Sequence, residues 1–121
     1  MLLVNLASLT GTCRTNGIDL IFMTNQSTWN SHLDSQAWRN HWMQTCGNVR
    51  YREQYLDETL ESFNNVMRNR AQSSSVPLLD LPKEIPKTRD YFYDDCHFNT
   101  MGALIAGKKL CELIINRRLV R

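Results

Sequence analysis

At 121 residues, the chain is about one domain long, which excludes two independent domains. With 42% hydrophobic and 21% charged residues it can pack a core, so wholesale disorder is excluded as well. Lys and Arg number 14 against 12 Asp and Glu, and the resulting formal charge of +2 is too small to indicate nucleic acid or an anionic membrane surface as the main partner.

In chain order, Leu2, Leu3, Leu6, Ala7, Leu9, Thr10 and Cys13 recur at helical spacing, and Asn16-Gly17 offers a stop, so residues 2–16 read as helix. The run Ile18 to Thr24 is mostly apolar without alternation, as a parallel strand covered on both faces requires. Residues 25–48 turn polar and aromatic, with Trp29, Trp38, Trp42, His32 and His41, and read as a Trp-rich loop or lid containing a short helix. Those aromatic groups suit either the roof of a substrate pocket or the packing of an irregular loop.

Tyr55, Leu56, Leu60, Phe63, Val66 and Met67 mark an amphipathic helix over residues 50–72, ended by Ser73-Ser74-Ser75. Residues 76–81 form a second short apolar run, in which Pro77 fits only near the strand's start or on an edge. A Pro-bearing connection leads to a last helix that begins near Thr100 under an Asn99 cap and buries Met101, Leu104, Ile105, Leu110, Cys111, Leu113 and Ile114. Helix, strand, helix, strand, helix spells an α/β fold with two parallel strands and three main helices.

No internal repeat is present, and the apolar opening Met1 to Leu6 lacks both a basic flank and a small-residue cleavage site, so no targeting signal and no membrane span are expected. The cysteines at 13, 46, 96 and 111 have neither CxxC nor metal-finger spacing. Cys13, Cys46 and Cys111 read as small buried hydrophobes. Asp94, Asp95, Cys96 and His97 could ligate a metal only with a second ligand pair that the sequence lacks, so neither metal nor cofactor is expected. Lys108, Lys109, Arg117, Arg118 and Arg121 read as a solvated helix face rather than a nucleic-acid patch.

The densest reactive cluster, Tyr91 to Asn99, precedes the last helix, where α/β sheets place their sites beyond the carboxyl ends of the strands. An Asp three residues before a His on a tight loop can accept the Nδ1 proton of the imidazole, which leaves Nε2 as a general base. Asp94 and His97 have that spacing. Asp95 is the rival partner if the loop shifts by one residue. Cys96 is set aside as a partner of His97, since neighbours on an extended chain point opposite ways.

The stretch Phe92 to Ala103, with Asp94-x-x-His97-Phe98-Asn99-x-x-Gly102, resembles the last conserved motif of the SGNH/GDSL hydrolases. Gly17-Ile18-Asp19 leading into a strand, the Trp-rich insertion, the long helix, residues 76–81 and the segment from Pro86 to Tyr93 are similar, in order, to the second half of such an enzyme. The resemblance implies that residues 1–121 are the C-terminal half of a flavodoxin-like three-layer α/β/α domain. It further implies a serine esterase acting on small-molecule or carbohydrate esters, in which His97 and Asp94 belong to the triad and Asp80 is structural or supports the triad without being part of it.

The family's nucleophile lies in a Gly-Asp-Ser motif, and none of the five glycines here is followed by Asp-Ser. Positions matching the oxyanion-hole Gly and Asn are missing too. Ser27 lies beyond the first strand but reads as a turn residue. The partner then implied is the N-terminal half of the same domain, without which the first strand lacks a neighbour and the chain self-associates. The competing reading is a non-catalytic remnant or a binding module using the Trp-rich surface.

Overall fold

The computed structural model describes residues 1–30 and 41–119. Within them the elements run α1 (Leu2–Thr15), β1 (Phe22–Met23), β2 (Thr45–Cys46), β3 (Val49–Arg50), α2 (Glu53–Ser74), β4 (Leu78–Leu79), α3 (Leu81–Glu84) and α4 (Thr100–Asn116). Residues 31–40 of the Trp-rich insertion, with His32 and Trp38, and Arg121 fall outside the described residues; the insertion's described residues hold no helix.

The expected punctuation is present. Gly17 takes a positive φ of 65° after α1, Ser75 ends α2 in the left-handed region, and the Asn99 side chain accepts from the backbone N–H groups of Met101 and Gly102 at the start of α4. The two apolar runs pair in parallel, Phe22 opposite Leu78 and Met23 opposite Leu79, and Pro77 sits at the strand's entrance, where its carbonyl accepts from Phe22. The chain is therefore mixed α/β.

Alternation across this pair separates two cores. Phe22 and Leu78 face α1 and α2 and pack with Leu6, Val66, Met67 and Ala71. Leu79 points the other way, into a cluster of Leu81, Ile85 and Phe92 against Ile105, Leu110 and Leu113 of α4.

The structure corrects several burial expectations. The first strand is not covered on both faces: Ile18 is exposed, Met23 is 48% exposed, and among the described residues β1 has β4 as its one neighbour. Leu3, Leu9, Tyr55, Phe63, Met101 and Leu104 are exposed as well. Each helix carries more apolar residues than its neighbours cover, because only the stripe turned toward the strand pair meets a partner. Cys13 is buried as expected, whereas Cys46 and Cys111 are exposed, Cys46 on a hairpin and Cys111 off the covered stripe of α4.

At the end of the expected lid and just past it, β2 and β3 form an antiparallel hairpin around Gly47-Asn48, so the long helix starts at Glu53 rather than at residue 50. Gly47 has φ 60°, the conformation that a two-residue hairpin turn asks of glycine. Among the described residues, no helix is long and apolar enough to cross a membrane.

Behind the strand ends, Asp80 ties the two parallel elements to α2. It accepts from Thr24 Oγ1 at 3.0 Å and from two nitrogens of Arg68 at 2.8 and 2.9 Å. Its burial pushes the pKa up, but hydrogen bonds from Arg68, Lys83 and Thr24 outweigh that and bring it down to about 2, from 3.8. A depressed folded-state value means that the stabilisation is complete above the unfolded value near 3.8 and is lost as the pH falls toward about 2. Asp80→Asn is expected to be less stable than the parent at neutral pH, with the gap closing across that acid window. Thermal unfolding at a series of pH values measures it, and a gap that stays constant contradicts the assignment.

Candidate functional site

The segment that leaves β1 is fastened residue by residue. Asn25 and the buried Asn64 of α2 exchange two hydrogen bonds, the Gln26 amide donates to the Ile85 carbonyl, and Thr28 N–H donates to the carbonyl of Asp95 at 3.0 Å. This holds the carboxyl end of β1 against the loop that follows α3.

That loop closes on itself. Phe92 and Phe98 form an isolated antiparallel bridge with their rings 4.8 Å apart, Tyr93 N–H donates to the His97 carbonyl, and Asn99 N–H donates to that of Tyr91. The apolar pair anchors the loop in the α4-side core and leaves residues 94–97 at its tip.

There, Asp94 Oδ1 accepts from the backbone N–H groups of Cys96 at 2.9 Å and His97 at 2.8 Å, the Asx turn that a short acidic side chain favours. Its Oδ2 lies 2.8 Å from His97 Nδ1. Burial raises the Asp94 pKa, yet the two backbone donors, the imidazole and the Trp42 indole hold it well below the usual carboxylate range. The imidazole is 62% exposed on its side chain, so the Asp94–His97 pair opens to solvent. Among the described residues nothing is hydrogen-bonded to Nε2. The expected contact between Asp94 and His97 is therefore formed.

Asp95 does something else. It is 0% exposed, and its Oδ2 accepts from Met43 N–H at 2.8 Å and from the Trp29 indole at 3.3 Å, which tethers the insertion to the loop. The extended-chain argument that separated Cys96 from His97 fails, because the turn places Cys96 Sγ 3.5 Å from His97 Nδ1. The thiol is not a ready nucleophile: burial, then the negative charges of Asp94 and Asp95, push it up to about 11. Ser27 is 1% exposed, and its Oγ has no hydrogen-bond partner among the described residues, so it is closed off from any substrate. Asp94, Cys96 and His97 do bring one ligand-type atom each to within 4.8 Å of one another, but all three belong to one turn whose hydrogen bonds already explain their closeness.

A second network lies behind the loop. His41 Nδ1 is 2.7 Å from Glu53 Oε1, and Nε2 is 2.9 Å from Thr28 Oγ1, which in turn reaches the Asp94 carbonyl at 3.2 Å. Carboxylate, imidazole and hydroxyl are in series as in a hydrolase triad, but the His41 and Glu53 side chains are only 3% and 1% exposed. They act as a brace between the start of α2 and the site loop. Sequence reading singled out neither Thr28 nor Glu53 and missed this brace; no local spacing connects residues 28, 41 and 53. The chain matches no known protein-family model, no curated protein and no solved structure.

Proposed function

We propose that this chain carries the acid–base half of a serine ester hydrolase of the SGNH type, forming the C-terminal part of a flavodoxin-like domain. The observation that carries this reading is the 2.8 Å contact between Asp94 Oδ2 and His97 Nδ1 on an exposed ring at the strand ends. The parallel pair with a core on each side, and the edge of β1 that faces away from β4, fit a larger sheet.

In the proposed reaction, the carboxylate keeps the proton on Nδ1, so the Nε2 lone pair takes the proton of a serine hydroxyl as the oxygen attacks an ester carbonyl. Asp94 then balances the charge of the imidazolium, and His97 returns the proton to the departing alcohol. Water enters by the same route to release the acyl group. The serine and the oxyanion donors come from outside these 121 residues. The rival reading is a binding surface of tryptophans; the Trp29 and Trp42 indole N–H groups are both engaged by the site carboxylates, at Asp95 and Asp94, which ties the insertion to the loop.

The test joins the chain to the sequence encoded immediately upstream of Met1 and assays nitrophenyl acetate. Saturable hydrolysis is expected, falling by roughly 10⁴-fold in Asp94→Asn and by about 10⁶-fold in His97→Ala, the scale on which such triads respond. The 121 residues alone are expected to match free imidazole. Hydrolysis that survives His97→Ala overturns the proposal.

A further inference from the structure

We propose that Trp42 is a positioning residue for the Asp94–His97 pair, its indole N–H fixing the second carboxylate oxygen while its ring lies along the imidazole. The geometry stands by itself; its consequence for catalysis rests on the hydrolase reading above.

A carboxylate on a short side chain turns broadly about its last torsion, so one anchored oxygen does not fix the plane. Asp94 Oδ1 is anchored by two backbone donors. Oδ2, the oxygen facing Nδ1, receives its second donor from Trp42 Nε1 at 3.1 Å, across 52 residues of sequence. The indole is not left to find this position by chance. Trp42 is followed by Met43, whose N–H is held by the buried Asp95, and the Trp42 carbonyl accepts from Thr45 at the start of β2. The two site carboxylates thus hold consecutive residues of the insertion, Asp95 by the backbone and Asp94 by the indole.

The ring supplies the second half of the role. Indole and imidazole are near parallel, at 11°, with centroids 6.1 Å apart, at the outer limit at which an aromatic face attracts a cation. When His97 gains a proton, that face favours the imidazolium. The N–H acts oppositely: by drawing charge from Oδ2 it weakens the pull of Asp94 on the proton. Trp42 therefore both orients the base and sets its basicity. Among the described residues, the titratable groups around the imidazole are Asp94 and Cys96, with Asp95 buried behind them. Because Trp42 is 58% exposed, its replacement leaves no core cavity.

The experiment follows the His97 ring resonances by NMR through a pH titration of the chain, in parent, Trp42→Phe and Trp42→Leu, with thermal unfolding as the control for folding. Trp42→Phe keeps the aromatic face and removes the donor, and is expected to raise the His97 midpoint by roughly half a unit to one unit. Trp42→Leu removes both, and its midpoint is expected below that of Trp42→Phe. In the parent, the Trp42 indole N–H resonance is expected to shift with the same midpoint as His97. A folded Trp42→Phe with an unmoved midpoint overturns the proposal, and so does an indole resonance indifferent to His97, a measurement that needs no variant. Neither readout involves ester turnover, so the hydrolase reading can fail while this one holds.

Discussion

Gly102→Ala is expected to destabilise the protein by about 3 kcal/mol, the upper end for overpacking, although alanine is the better helix former. A Cβ at this position would lie 2.1 Å from the Tyr91 carbonyl oxygen and 2.8 Å from Phe98 Cδ1. The Tyr91 oxygen cannot yield cheaply, since it accepts the Asn99 N–H that closes the site loop. The same helix supplies a control. Gly107 has no neighbour within 4 Å of such a Cβ, so Gly107→Ala is expected to stabilise by up to about 1 kcal/mol through helix propensity alone. Denaturant unfolding of the two variants gives opposite signs if the close approach is real and the same sign if it is not. Loss of the Asp94–His97 contact, read from the His97 titration, should accompany the first substitution only.

Glu53→Ala is expected to cost about 1 to 3 kcal/mol, the range for leaving buried hydrogen-bond donors without their acceptor. The Glu53 carboxylate accepts from His41 at 2.7 Å, from the Gln44 amide and from Asn30 N–H at 3.4 Å. Alanine leaves these buried donors without their acceptor, which costs more than the bonds themselves contributed. His41→Ala in the Glu53→Ala background is expected to add less than it does alone, because the imidazole has already lost its partner. Strict additivity in that cycle, measured by unfolding, would show that the two side chains do not act as a unit. The loop is expected to loosen as well, since Thr28, held by His41, reaches the Asp94 carbonyl.

The three long helices were legible because their signals are local, whereas the single turn α3 was read as part of a connection. Apolar residues recur every three or four positions, and Gly17, the Ser73–Ser75 run and Asn99 mark boundaries through their own backbone preferences or side-chain bonds. The contact between Asp94 and His97 was legible for the same reason: three residues apart on a turn, they need no distant element to meet. The hairpin at Gly47-Asn48 was missed although its turn residues are a recognised signal, because the strands on either side are only two residues long and exposed.

What the sequence by itself determined about this protein is therefore its local grammar: the α/β order, the helix ends, and the spacing that lets one carboxylate meet one imidazole. Tertiary structure alone decided which carboxylate serves which neighbour, since Asp94 and Asp95 are chemically alike and only the loop's closure turns one to His97 and buries the other beneath Trp29 and Met43. It also decided that Glu53 is buried, that Tyr55, Phe63, Met101 and Leu104 are not, and that Trp42 reaches Asp94. Periodicity marks a face as apolar, but whether that face is covered depends on what packs against it. A hydrogen bond across 52 residues leaves no trace in spacing.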